Sequence, residues 1–313
     1  MLKIYTGSVF HRHHTGAGHP ESGARLVAAE EGVSRAGLTD RIERDITSHP
    51  DTARIISKVH SLDYEREFEA ACRSGMHLFH SADNPISLSS FDAARAAVGM
   101  SLAAADDIWR GGASDRAFVI ARPPGHHAER VEAMGFCFFN TIACVAEWLR
   151  EQPGMERIFI FDFDVHHGNG TQHLFEERSD VFYASMHRFP FYPGTGAARE
   201  IGVGPGRGFT KNLPLEGGAG DAEYLRAVEE TIVRIVDDYK PNAILLSAGF
   251  DAHHRDPLGG MDVTARAFGE ITRRITELAD RHCGGRILSL LEGGYDLEGL
   301  SASVDEHVRA LQS

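Results

Sequence analysis

The sequence predicts an α/β fold built on a mostly parallel sheet with helices on both faces. Two observations carry this. Apolar runs of strand length alternate with segments of helical periodicity along the chain. The unusual polar clusters also fall directly after the apolar runs, at what would be the carboxyl ends of strands, the edge where open α/β sheets bind ligands.

Residues 2–5, Leu-Lys-Ile-Tyr, read as a first strand. A helix is expected to start near Ser89 or Ser90, either serine serving as N-cap, and to stop at Gly111-Gly112. A strand over residues 117–120 runs into Arg122-Pro-Pro-Gly-His126-His127, and one over 158–161 into the polar run 162–169. The strand over 181–185 ends in Ser185-Met186-His187. The glycine-rich stretch 194–220 reads as a long surface loop carrying one short strand at 211–215, and ordered loops of that length are commonly functional. Leu225, Val228, Ile232, Ile235 and Tyr239 recur at helical spacing, and Pro241 follows. A strand at 243–246 leads to Gly249-Phe250-Asp251, and one at 287–291 to Glu292-Gly-Gly-Tyr295. With no repeat, low-complexity segment or linker, residues 1–313 read as one domain.

Composition is that of an ordinary globular protein, 42% hydrophobic and 25% charged. The net charge of -13 argues against direct binding of nucleic acid or anionic membrane. Cys72, Cys137, Cys144 and Cys283 form no C-x-x-C pair, which speaks against a thiolate zinc site and suits reduced thiols. No signal-peptide pattern and no apolar run near the roughly 20 residues of a membrane span are seen, so a cytoplasmic location is expected. Oligomeric state stays open.

Residues 162–167 place two carboxylates and two imidazoles at a buried strand's end. Strand alternation would put Asp162, Asp164 and His166 on one face. An uncompensated buried charge is costly, and a bound cation is the simplest compensation. Asp164, His166 and Asp251 form a carboxylate–imidazole set suited to zinc, manganese or iron, with a position left open for water or substrate. Beside such an ion, His126 or His127 would serve as general base, and Tyr295 would stabilise an oxyanion. Together these parts describe metal-assisted amide hydrolysis. Taken singly, Asp251 is as well read as a helix N-cap, Tyr295 as a packing residue, and the histidine pair as filler.

Six segments carry a resemblance to a known family: Arg122-Pro-Pro-Gly-His-His-Ala128, Gly135-Phe-Cys-Phe-Phe-Asn140, residues 162–172, Pro193-Gly-Thr-Gly196, Gly249-Phe-Asp-Ala252 with Asp256-Pro-Leu-Gly259, and Glu292-Gly-Gly-Tyr295. In this order they resemble the histone deacetylase family, its class II branch most, from about His19 to the C-terminus. That family also holds acetylpolyamine amidohydrolases. The resemblance implies the three-layer arginase–deacetylase fold, with a central sheet of about eight strands. It implies Zn2+ on Asp164, His166 and Asp251, with Fe2+ as a substitute. His127 would transfer the proton, beside His126 as electrostatic partner. Asp162 and Asn169 would support His126 and His127, and Tyr295 would polarise the acetyl carbonyl. A structural K+ is implied near Asp162, Asp164, His166, Ser185 and Met186. Phe136 and Tyr192 would wall an acyl-lysine tunnel, with Gly135 and Leu258 beside them and Arg25 below the metal.

The family usually has Phe where this chain has Tyr192. The expected substrate is an acetylated lysine peptide or protein. An acetylated polyamine or other small amine is the alternative, and Leu258 weighs against it because it cannot meet a distal ammonium; His13, Asp83 and the acidic surface are other sources of charge. The short segment between Ser81 and Ser90 predicts an open mouth. A non-catalytic binding module is disfavoured by the intact metal ligands, histidine pair and Tyr295, and an arginase-like two-metal enzyme by there being one complete ligand set only.

Overall fold

The structure, a computed structural model, describes residues 1–112 and 115–313. Its strands are β1 (Leu2–Thr6), β2 (Ile42–Arg44), β3 (Leu78–Phe79), β4 (Ser81–Pro85), β5 (Arg116–Val119), β6 (Ile158–Asp162), β7 (Val181–Arg188), β8 (Thr210–Leu215), β9 (Ala243–Ala248) and β10 (Ile287–Leu291). Its α-helices are α1 (Ala24–Arg35), α2 (Thr52–Val59), α3 (Leu62–Arg73), α4 (Ser90–Asp106), α5 (Thr141–Arg150), α6 (Asn169–Phe175), α7 (Asp221–Ala227), α8 (Val233–Tyr239), α9 (Ala265–His282) and α10 (Leu297–Gln312).

Eight strands pair in the order β2-β1-β5-β10-β9-β6-β7-β8, every neighbour parallel. The central strands β6, β9 and β10 are buried along their whole length. This is why they read as unbroken apolar runs rather than alternating ones: helices cover both faces. Helices α1, α9 and α10 pack together as one group, and α2, α4 and α5 as another. Sheet and two helical layers form the α/β architecture expected from the sequence.

The chain order β5, β6, β9, β10 becomes the spatial order β5-β10-β9-β6. Four polar segments distant in sequence thus emerge side by side at one edge. Strand β6 ends at Asp162, so Asp164 and His166 lie in the following loop and not on a strand face as alternation suggested. No serine side chain caps α4: Ser89 makes no such bond, and the Ser90 hydroxyl instead accepts from Ser87 N–H at 2.8 Å. The helical pattern from Leu225 to Tyr239 is split by a π turn at Val228–Ile232, between α7 and α8. Asp251 caps no helix, since the next one starts at Ala265 behind Thr264. The segment from Ser81 is strand β4, paired with β3.

A buried histidine ties three elements together. The Thr272 hydroxyl of α9 donates to Phe268 O at 2.8 Å and so accepts from His307 Nδ1 of α10 at 2.7 Å. His307 Nε2 then accepts from the Ser289 hydroxyl of β10 at 2.9 Å. The ring is fully satisfied as a neutral imidazole, and burial pushes its pKa down to about 3. Below about pH 6.5 the unfolded chain binds a proton that the folded protein does not take up until about pH 3. Stability from this group is therefore present above pH 6.5 and lost as pH falls. We expect His307 alone to account for about 2 kcal/mol of lost stability between pH 6.5 and pH 5. Urea unfolding across that range should show a shallower pH slope in His307→Leu; an unchanged slope would refute the assignment.

Candidate active site

The turn after β5 carries Gly125-His126-His127. Gly125 allows it to close against Phe139 and Thr141, since a Cβ there would lie 2.8 Å from Phe139 O and 2.8 Å from Thr141 N. Glu292, just beyond β10, holds the same turn. Its Oε2 accepts from Gly125 N–H at 2.7 Å and His126 N–H at 3.2 Å, and its Oε1 from the Ser247 hydroxyl at 3.2 Å. Glu292 is completely buried, and burial pushes its carboxyl up to about 7.

Both imidazoles have partners at Nδ1. His126 Nδ1 lies 3.0 Å from Asp162 Oδ2, which also accepts from the Tyr183 hydroxyl at 3.0 Å. Burial disfavours charge on His126, but the attraction of Asp162 and then Asp164 outweighs it and lifts the pKa to about 10. His127 Nδ1 lies 2.8 Å from Asn169 Oδ1 at the start of α6. Burial, followed by the influence of His126 and His166, holds His127 well below the usual imidazole range. The two neighbouring rings, 4.0 Å apart, are thus driven to opposite states, one cationic and one neutral.

Beside them, Asp164, His166 and Asp251 bring one ligand atom each within 4.8 Å of one another. His166 Nδ1 is 3.1 Å from Asp164 Oδ1 and 3.1 Å from Asp251 Oδ2. The backbone orients both carboxylates: Gly293 N–H donates to Asp164 Oδ2 at 2.8 Å, and Val165 N–H to Asp251 Oδ1 at 2.9 Å. Glycines line the approach. A Cβ on Gly249 would fall 2.1 Å from Asp164 Oδ2, and one on Gly293 2.1 Å from Asp251 Oδ2. Burial and then the Asp164 charge push Asp251 up to about 7. Against its own burial, hydrogen bonds to Asp164 and Asp251 lift His166 to about 10. A single Nδ1–H serves one acceptor well, whereas two carboxylates face this nitrogen. Two carboxylate oxygens and an imidazole lone pair converging in a buried site fit a divalent cation such as zinc or ferrous iron.

These groups open on a cavity of about 250 Å3, lined by Asp83, His127, Gly135, Phe136, His166, Phe191, Tyr192, Leu258 and Tyr295. Phe136 adopts φ +68°, a region that bulky residues rarely enter. Asn84 Oδ1 holds it there by accepting Phe136 N–H at 2.9 Å. Its ring meets Tyr295 edge-on at 5.8 Å. Gly135 cannot carry a side chain, because a Cβ would lie 2.2 Å from His127 Cδ2. The Tyr192 hydroxyl donates to Asp83 Oδ2 at 3.2 Å and joins the two sides of the mouth. The mouth is therefore bridged, not simply open. Asp256 anchors the opposite wall: Oδ2 accepts from Tyr295 N–H at 2.6 Å, and Oδ1 from Leu258 N–H at 2.9 Å. Burial keeps the Tyr295 phenol protonated, with a pKa raised well above its ordinary value.

Three of the positions named from the sequence lie outside the cavity lining. Arg25 does not line the cavity. It lies behind Tyr295, its guanidinium 4.9 Å from the ring centroid, and it donates to Gly294 O at 2.7 Å, to Glu292 O and to Glu21. His13 is buried, 2.7 Å from the Ser90 hydroxyl and 3.5 Å from Glu21, and cannot meet a ligand at the mouth. Ser185 sits in register with Asp162 across β6 and β7, next to Met186 and away from the cavity. The sequence reading missed Phe191, stacked on His166 at 5.5 Å, and gave Glu292 and Asp256 no role. A carboxylate inside each glycine-bearing motif was the available signal for the latter two. Phe191 had none.

Comparisons with known proteins agree with this geometry. Residues 19–311 match the histone deacetylase domain model. The chain is 38% identical over 302 residues to a probable deacetylase of Archaeoglobus fulgidus, covering 95% of this chain and 83% of that protein. It is 37% identical over 282 residues to a histone deacetylase-like amidohydrolase of Pseudomonas aeruginosa, covering 89% and 73%. The crystal structure of the HDA15 HD domain superposes with a TM-score of 0.92 at 34% identity, over 99% of this chain and 87% of that one. On the match across nearly its whole length, the chain belongs to the histone deacetylase family.

Proposed function

We propose that this protein is a zinc-dependent amidohydrolase that removes acetyl groups from lysine side chains of peptides or proteins. One observation carries the reading: His127, Tyr295 and the Asp164–His166–Asp251 cluster meet around one cavity with aromatic walls. Asp164, His166 and Asp251 would hold the ion, which when bound supplies Lewis acidity to the acetyl carbonyl and to water. His127 then takes the proton of the attacking water through Nε2. The Tyr295 hydroxyl donates to the carbonyl oxygen as charge develops there. His127 returns its proton to the departing amine, while the His126–Asp162 pair holds a fixed charge beside it. A structural K+ near Asp162, Ser185 and Met186 belongs to the same reading and is supported by the β6–β7 register. A small acetylated amine is the second reading, favoured by one feature: Asp83 places a carboxylate at the cavity mouth, where a distal ammonium would lie.

The test is hydrolysis of a fluorogenic acetyl-lysine peptide, compared with acetylated putrescine and spermidine by kcat/KM. We expect the peptide to be preferred and turnover to vanish on chelation and return with added zinc. His127→Ala and Tyr295→Phe should each lower kcat by about 100-fold or more. Full activity in either variant, or in metal-free protein, would defeat the proposal.

Tyr192→Phe removes the bond to Asp83 while keeping the ring. We expect kcat within about threefold of wild type, with relatively faster turnover of longer acyl groups than acetyl as the mouth loosens. An unchanged acyl-length profile would show that the bridge does not set the opening. Asp256→Asn replaces one acceptor oxygen by an NH2 group that must face a backbone N–H. A loss of about 1–3 kcal/mol in urea unfolding is expected, together with a lower kcat because the Tyr295 turn moves.

A further inference from the structure

The Asn169 side chain raises a question of orientation. Its oxygen faces His127 Nδ1 at 2.8 Å. A carboxamide turned over would place NH2 there instead, and with it the opposite imidazole tautomer. Then Nε2 would carry the ring proton and have no lone pair for the attacking water.

What selects the orientation is Glu129, two residues after His127 in the same turn. Its Oε1 accepts from Asn169 Nδ2 at 2.6 Å. A carboxylate only accepts, so the group facing it must be the NH2. The other contacts of Nδ2 are weaker: His127 O at 3.3 Å and Met134 Sδ at 3.2 Å. A second donor fixes Glu129 itself. His173, one helical turn after Asn169 on α6, brings Nδ1 within 2.7 Å of the same Oε1. Residues four apart on a helix share a face, so one carboxylate serves both. Asn169 is buried, the Glu129 side chain is 19% exposed and that of His173 41%. The result is an unbroken hydrogen-bonded chain from His127 to the surface.

We infer that Glu129 is a positioning residue that locks the Asn169 amide with its oxygen toward His127, and so sets His127 as the tautomer protonated at Nδ1 and open at Nε2. The inference rests on the proposed role of His127 as proton-transfer group. Nothing in it requires Glu129 to touch substrate. It needs an acceptor at that point, not a charge.

Two measurements test it. In protein labelled with 15N-histidine, the His127 resonances, identified by their loss in His127→Ala, report the tautomer without any substrate. We expect Nδ1 protonated in wild type and in Glu129→Gln, and a mixture of tautomers in Glu129→Leu. In kinetics, Glu129→Leu should lower kcat about tenfold with little change in KM, and Glu129→Gln should stay within about threefold of wild type. The background Asn169→Asp separates positioning from simple support. An aspartate has two acceptor oxygens and no orientation to lose, and it is repelled by Glu129. There, adding Glu129→Leu should raise kcat rather than lower it. An equal loss in both backgrounds, or a His127 tautomer unmoved by Glu129→Leu, would overturn the inference. If wild type turned over no acyl-lysine peptide, the function proposed above would fail while the NMR result still decided the role of Glu129.

Discussion

Everything at the carboxyl edge of the sheet depends on how two buried carboxylates, Asp164 and Asp251, are kept apart and pointed at one imidazole nitrogen. Charges in such a place are destabilising by several kcal/mol unless they are compensated. The fold compensates in layers. One oxygen of each carboxylate is held by a backbone N–H, from Gly293 and Val165. The other faces His166, leaving a donor set that a cation would complete. His126, driven positive by Asp162 and Asp164, offsets part of the remaining charge.

A second tier of carboxylates holds backbone rather than ligand. Glu292 grips the histidine turn, and Asp256 grips the tyrosine turn and Leu258 together. Glu21 accepts from Arg25 and Arg122, and Arg25 in turn holds the carbonyls of Glu292 and Gly294. These groups explain why a glycine-rich turn such as Gly293-Gly294-Tyr295 is a defined structure. Gly293 permits close approach to Asp251, and buried acceptors and donors then select one conformation from the many that glycine allows. The strained backbone of Phe136 is held in the same way, through Asn84.

Much of this was legible in advance because it is local. The strands over residues 158–161, 243–246 and 287–291 announce themselves as apolar runs, and a polar cluster after each marks the edge at which a site must lie. Other features were misread for equally local reasons. Alternation was extended past Asp162, where the strand had already ended, and the short segment after Ser81, from which an open mouth was expected, pairs as β4. Tyr192 and Asp83 meet across 109 positions of chain, and nothing in either segment announces the other.

By itself, the sequence determined the α/β class, the residues offered at each strand end and the chemistry they can perform, since periodicity and side-chain type are properties of short stretches. Tertiary structure alone decided which ends become neighbours. Parallel strands pair through crossovers, so β10 and β9 come to lie between β5 and β6, and Asp251 arrives beside His166, 85 positions earlier in the chain. It also decided the orientation of each polar group. Whether Asn169 shows its oxygen or its nitrogen to His127 depends on Glu129 standing within 2.6 Å, a distance that only packing sets.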